Sequence, residues 1–269
     1  MPQTDDFRAA ARPVTLVTGA SGGIGADLAR VFAEKGHDLA LVARGAPALE
    51  AVAAEIEATG RPRPLTFALD LAEADAVDRL ERALRGAGAR VEILVNNAGF
   101  GLVGEVAELS EAGQLAMIDL NVRALTQLCV RFLADVKAAR GKILNVGSVV
   151  SYFPGGPGMA VYYASKAYVL SFTRGLAQEL LGTGVTVSAL CPGVTPTGFQ
   201  ARAGFASGQL DRIPATSSRS VAEAGYGGLM RGRREIVPGA FNLMGAWLMP
   251  FAPRGALLQA VRRAQMGRR

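Results

Sequence analysis

Tyr162, Tyr163 and Lys166 fall together in the stretch YYASK, and a phenol beside an ammonium is a pairing suited to proton transfer. A free phenol has a pKa near ~10, so at neutral pH it is a poor donor or acceptor. A neighbouring ammonium favours the phenolate and lowers that value. On a helix, residues i+3 and i+4 face residue i, so Lys166 can reach either ring. The same five letters also fit an ordinary amphipathic helix with a surface lysine, and they do not say which tyrosine would matter.

Other residues with chemical potential lie at turns. TGASGGIG, Thr18 to Gly25, puts glycines at 19, 22, 23 and 25. Glycine lets a backbone turn tightly and approach a pyrophosphate, and a helix N-terminus favours negative charge. The spacing is not GxGxxG, and a plain tight turn is the other reading. Ala43-Arg44 stands where an acidic side chain would bind a ribose 2′-hydroxyl. Alanine then arginine instead leaves room and counter-charge for a 2′-phosphate. Asp70 has two readings, an acceptor for an adenine amino group or the N-cap of a following helix. His37, the only histidine, lies between a helix and a strand, at the end of the sheet opposite the chemistry. No His/Cys/carboxylate cluster suggests a metal. Cys129 and Cys191 sit in apolar contexts as two buried, reduced thiols without disulfide or metal-ligand spacing.

The elements that must position these groups alternate along the chain. VTLVTG, DLALVAR, PLTFALD, VEILVNNAG, KILNVGS and VTVSALCPG read as strands, with a weak seventh in REIVPG. IGADLARVFAEKG, APALEAVAAEIEATG, ADAVDRLERALRG, a long region from about Ser110 to Arg140, and AVYYASKAYVLSFTRGLAQELLG have helical spacing. Regular alternation predicts an α/β fold: one doubly wound parallel sheet of Rossmann type, about seven strands, with helices on both faces. Ligands of such folds bind at the carboxyl ends of the strands, which is where the turns above fall.

Composition narrows the class. Half of the 269 residues are hydrophobic, enough for a large core. The N-terminal stretch has no apolar signal core, and no apolar run reaches the ~18 residues of a membrane span. A cytoplasmic protein is expected. The formal charge is +6, but residues 231–269 hold eight arginines and one glutamate, so the body is no nucleic-acid binder. The expected layout is an extension over 1–12, a Rossmann-type body over 13–239, and an apolar and basic segment over 240–269.

TGASGGIG, then NNAG at Asn96 to Gly99, an Asn-Val, a serine ahead of Tyr-x-x-x-Lys, and PG after the sixth strand occur in that order. From about Pro13 to Pro238 the chain resembles the short-chain dehydrogenase/reductase family, in its single-domain branch. The resemblance implies Tyr162 as the catalytic tyrosine, with Lys166, Ser148 and Asn121 completing the site. Tyr163 then matches a variable position and packs or lines the pocket. The resemblance further implies NADP(H) held by Gly19, Ser21, Gly23, Ile24, Gly25, Arg44, Asp70, Leu71, Asn97, Ala98 and Gly99. Tyr162 and Lys166 join them, with Pro192, Gly193, Val194 and Thr197 over the nicotinamide. Gly147 departs from the family, which more often carries a serine or similar residue there.

The function implied is carbonyl–alcohol interconversion by hydride transfer, with a homo-oligomer formed through the two long helices. A non-catalytic dinucleotide-binding regulator or scaffold is the competing class, against which the intact Asn121, Ser148, Tyr162 and Lys166 argue. An epimerase or dehydratase of the longer branch would need different glycine spacing. Thr197 to Arg219 is rich in Gly, Ser and Ala, as a lid would be. Phe241, Leu243, Met244, Trp247, Leu248, Met249 and Phe251 then cluster. They can enclose an apolar substrate, pack on the body or a second subunit, or, with Arg262, Arg263, Arg268 and Arg269, touch an anionic membrane. The first reading predicts a medium- or long-chain, or polycyclic, carbonyl compound.

Overall fold

The computed structural model describes residues 11–205 and 214–266. Seven parallel strands form one sheet in the order β3-β2-β1-β4-β5-β6-β7. They are β1 (Arg12–Thr18), β2 (Leu39–Ala43), β3 (Leu65–Ala68), β4 (Ala89–Asn96), β5 (Lys142–Val146), β6 (Thr186–Leu190) and β7 (Glu235–Ile236). The fold class is the one the alternation predicts. β1 starts at Arg12, one residue ahead of the expected body.

β2 shows why a run such as LALVA makes a central strand. Side chains alternate between faces, and here Ala40 and Val42 join one core cluster while Leu39, Leu41 and Ala43 join the other. Both faces are covered, so no polar residue is tolerated in the run. One face carries α1 (Gly23–Glu34), α2 (Ala46–Ala58) and, from far along the chain, α8 (Ser218–Met230). The other carries α3 (Ala76–Gly86), α5 (Leu125–Ala138) and α6 (Ala160–Glu179). Phe32 of α1 is fully buried, a burial that contributes about 2–3 kcal/mol.

The long helical region is continuous but not uniform. α4 (Glu111–Ile118), capped by Ser110 whose Oγ accepts from Gly113 N, runs into a π-helical segment, Asp119–Ala124, and then into α5. Such segments widen the hydrogen-bond step and concentrate at functional sites. Asn121 lies within it. The expected lid is helical at both ends: Thr197 caps α7 (Gly198–Ala203) and α8 begins at Ser218. Its residues 206–213 lie outside the described residues. The C-terminal segment forms α9 (Ala240–Leu248), a 3-10 turn at Met249–Phe251, and α10 (Arg254–Met266). Among the described residues, no helix is long and apolar enough to cross a membrane, and no His/Cys/Asp/Glu group could hold a metal.

β7 is only two residues long, and side chains anchor it. Arg174 of α6 donates twice to Glu235, at 2.7 and 3.0 Å, and the Tyr152 hydroxyl donates to it at 2.6 Å. Burial raises the Glu235 pKa, but these donors outweigh it and hold the folded value below the usual carboxylate range. A depressed folded pKa gives stability that is complete above the unfolded value and lost as pH falls through the folded one. Glu235→Gln is therefore expected to cost about 1 kcal/mol at pH 7. In urea melts, the gap between parent and variant should close as pH drops below about 4. A gap independent of pH would show that the charge is not what anchors the strand.

Candidate active site

Strand order reverses between β1 and β4, so the chain leaves these neighbours in opposite directions and a crevice opens at their carboxyl ends. The crevice is stitched across its floor. Thr18 Oγ1 accepts from Asn97 N and Ala98 N, both at 3.0 Å, and donates to Val95 O at 3.3 Å. Asn97 Nδ2 donates to Thr18 O at 2.9 Å and to Gly19 O at 3.3 Å. These bonds need close backbone approach. Gly19 has φ +66°, and a Cβ on Gly25 would lie 2.2 Å from Gly19 O and 2.4 Å from Asn97 Nδ2. Gly22 caps α1 without a side chain, and no acidic residue occupies the first turn. The helix therefore presents free N–H groups to the crevice, as an anion site requires.

Above this floor lies a cavity of about 1110 Å³. Every site residue expected from the sequence lines it except Asn121. At one end Arg44 reaches out from β2, its side chain exposed and 3.7 Å from Asp70. Asp70 does not cap a helix. Its Oδ1 accepts from Ala72 N at 3.0 Å, closing a local turn, and α3 starts only at Ala76 behind Asp75. The N-cap reading therefore fails because the chain needs a further turn between strand and helix.

At the other end stand Ser148, Tyr162 and Lys166. Ser148 follows β5, accepts from Val150 N at 3.3 Å and lies 3.5 Å from Pro192 O. Tyr162 is buried, hydrogen-bonded to Ser148, and its ring lies 5.5 Å from that of Phe199. Burial pushes the Tyr162 phenol up to about 12, against the lowering effect of Ser148. Lys166 Nζ donates to Val146 O at 2.9 Å and sits 5.9 Å from the Tyr162 ring centroid. Burial lowers the lysine to about 8. The bias toward phenolate expected from the sequence is thus outweighed by desolvation in this arrangement.

Asn121 stands behind the wall. Its Oδ1 accepts from Phe100 N at 3.1 Å, and its Nδ2 donates to Phe100 O at 2.9 Å and Ser165 Oγ at 3.0 Å. Gly99 is the point of contact with the site, since a Cβ there would meet Asn121 Oδ1 at 2.9 Å and Lys166 Nζ at 3.4 Å. Tyr163 is buried one step away, facing Phe153 at 6.1 Å and packed over Gly156. Thr197 lies on Gly23, 3.1 Å from a Cβ built there, while its hydroxyl accepts from Phe199 N at 3.2 Å. The two cysteines are free and buried, and burial pushes their thiols up to about 12 and about 11. His37 packs against Phe32 and Tyr226, away from the cavity.

Several lining residues carry no motif. Phe153, Met159, Phe199 and Phe205 form an apolar wall, closed by Val261 of α10, which is 7% exposed. Asn242 is the notable omission. It interrupts an apolar run, and that break was the only signal. Its Nδ2 donates to Pro238 O at 2.8 Å, and its amide covers Gly193, where a Cβ would come within 2.4 Å.

The donor set fits a dinucleotide: a glycine cradle under a helix N-terminus, a guanidinium at one end, and a phenol, a hydroxyl and an ammonium at the other. Gly25→Ala should lower the melting temperature and abolish dinucleotide binding, because backbone at 2.2 Å cannot yield. Gly22→Ala should melt like the parent, since a Cβ there meets nothing within 4 Å and its φ of 175° is extended. Equal melting of the two variants would refute the stitched floor.

A short chain dehydrogenase family model matches residues 13–205. The sulfoacetaldehyde reductase of Chromohalobacter salexigens is 40% identical over 188 residues, spanning 68% of this chain and 73% of the relative. A short-chain dehydrogenase from Sphingobium yanoikuyae, solved in complex with NADPH, superposes with a TM-score of 0.80 at 34% identity, covering 94% of this chain and 98% of that one. A short chain dehydrogenase/reductase from Burkholderia phymatum, solved in complex with NAD, gives 0.78 at 26% identity over 89% and 93%.

Proposed function

The chain belongs to the short chain dehydrogenase family and is an oxidoreductase of CH–OH and C=O groups that uses a nicotinamide dinucleotide; on that premise we propose that it is an NADP(H)-dependent reductase of bulky, apolar ketones or aldehydes, with Tyr162 as its acid. The observation that carries this reading is the convergence of Tyr162, Ser148 and Lys166 on one end of a cavity that has the glycine cradle along its floor and Arg44 at its other end. When bound, the dinucleotide supplies hydride to the substrate carbon. The protein supplies a proton and fixed charge.

Negative charge develops on the substrate oxygen. Tyr162, with its pKa pushed up to about 12, is protonated at neutral pH and is the donor to that oxygen. The Ser148 hydroxyl turns its single proton from Tyr162 to the same oxygen and gives it a second hydrogen bond. Lys166, anchored on Val146 O, is the ribose-holding cation. It also steadies the phenolate left after transfer, at a distance where burial magnifies the attraction. In the oxidative direction Tyr162 is the base. Asn121 does not line the cavity and stands behind Gly99. Its proposed part is to hold the Gly99–Phe100 turn against Lys166 and, from within the π-helical segment, a water that relays protons to solvent.

NADP(H) over NAD(H) rests on Ala43-Arg44. No acid at the end of β2 competes for a 2′-phosphate, and the arginine is exposed toward the cavity with only a 3.7 Å contact to Asp70. The apolar substrate rests on Phe153, Met159, Phe199, Phe205 and Val261. Part of that wall comes from beyond residue 205, where the family match ends. Leu115, Ile118, Val130 and Tyr168 are exposed on α4, the π-helical segment's flank, α5 and α6, which supports a homo-oligomer formed through the long helices.

Tyr162→Phe should abolish turnover of a hydrophobic ketone while NADPH still binds, and Tyr163→Phe should keep most activity. The reverse outcome in a stopped NADPH-oxidation assay would move the acid to Tyr163. Arg44→Ala should raise KM for NADPH roughly ten- to a hundredfold, the worth of a ~1.5–3 kcal/mol charged hydrogen bond, with little change for NADH. Equal use of both cofactors by the parent would refute the selectivity.

A further inference from the structure

α9, the 3-10 turn after it and α10 close the substrate end of the cavity, yet they leave most of their apolar surface in water. No residue of α9 is buried, and among the residues of α10 whose burial is described Val261 is the buried one. Trp247 is 69% exposed, Phe251 77% and Phe241 60%, with Leu243, Met244, Leu248 and Leu258 exposed beside them. The Trp247 and Phe251 rings lie 5.9 Å apart. Scattered exposed apolar residues are ordinary, but a contiguous aromatic and aliphatic patch marks an interaction site.

The charge around this patch says what the partner is. On α10 Arg254, Arg262 and Arg263 are exposed, while Val261 is buried and Leu258 lies over Gly155, 3.2 Å from a Cβ built there. Among the described residues none of these arginines has an acidic partner within ion-pair distance. Of the 29 Lys and Arg, five lie after Glu235, whereas all 23 Asp and Glu lie at or before it. An identical patch on a second copy brings no acidic side chain to these arginines, since none follows Glu235. A neutral apolar partner would strip the arginines of water without repaying them. An anionic lipid surface satisfies both halves, with rings at the acyl boundary and guanidinium groups on phosphates. We propose that the α9–α10 face docks this protein peripherally on an anionic phospholipid surface. The contact is monotopic, since no described helix can span a bilayer. Phe241, Met244 and Leu248 belong both to this face and to the cavity lining, so the docked face is continuous with the substrate end.

The docking claim stands apart from the catalytic one, because its readouts need no turnover. Trp247 is the only tryptophan in the chain, so its fluorescence reports this face alone. The full chain is mixed with phosphatidylcholine vesicles, or with vesicles in which part of that lipid is phosphatidylglycerol. Cosedimentation and a blue shift of Trp247 are expected with the anionic vesicles only, and both should weaken as salt is raised. Arg254→Gln/Arg262→Gln/Arg263→Gln should reduce partitioning by roughly ten- to a hundredfold. Phe251→Ser should reduce it too, with the parent's melting temperature and NADPH-dependent turnover retained. Absence of binding at low salt would overturn the proposal. So would binding without a Trp247 shift, equal binding to neutral vesicles, or a lipid-free dimer in which Trp247 is already blue-shifted.

Discussion

Everything at this site hangs on the hydrogen bonds that join Thr18 and Asn97 across the reversal of strand order. A parallel sheet offers a crevice there, but two adjacent loops leaving in opposite directions have no reason to keep their spacing. Thr18 Oγ1 and Asn97 Nδ2 fix it, using backbone atoms of both loops. The bonds exist only because Gly19 and Gly25 carry no side chain where the loops touch. The first glycine is needed for its left-handed backbone as well, the second for contact alone. From that fixed point the free N–H groups of α1 face one way, and the loop of Asn97 to Gly99 carries the rigidity onward to Lys166 and Asn121.

The chemical end of the cavity is electrostatically uncomfortable by construction. Lys166 is buried with a carbonyl as its polar partner, and Tyr162 is buried beside it. Burial drives the phenol up and the ammonium down, toward the neutral pair, and so opposes the state a base would need. A phenol that holds its proton firmly is nevertheless suited to meet an oxygen that is becoming an alkoxide, because the two affinities for the proton approach each other. The arrangement therefore leaves the Tyr162 phenol protonated before any substrate enters.

Much of this was legible in the amino-acid sequence because it depends on short, local patterns. LALVA alternates between two buried faces, the glycine turn stands between strand and helix, and Tyr162 and Lys166 share a helical face. Contacts made over long sequence separations were not legible. α8 holds Gly225, Gly227 and Gly228, a composition poor in helix formers. Two of those glycines serve close packing, since a Cβ on Gly225 would meet Leu190 at 2.9 Å and one on Gly228 would meet Ile236 at 2.5 Å. Asp70 looked like a helix cap because the residues before α3 gave no sign of their extra turn. The hydrogen bonds of Asn121 to Phe100 and Ser165, made across 21 and 44 residues, had no local signal either.

The seating of Asn242 on Gly193 couples two parts of the chain that would otherwise diversify independently. The family match ends at residue 205, so the helices beyond it are the natural place for lineages to explore new substrate walls. Yet the amide of Asn242 lies 2.4 Å from where a Cβ of residue 193 would stand. A graft of foreign C-terminal helices onto this body must therefore keep a slim side chain over that turn, and a bulkier residue at 193 requires the side chain at 242 to swing aside. The choices of side chain at 193 and at 242 are thus not independent of each other.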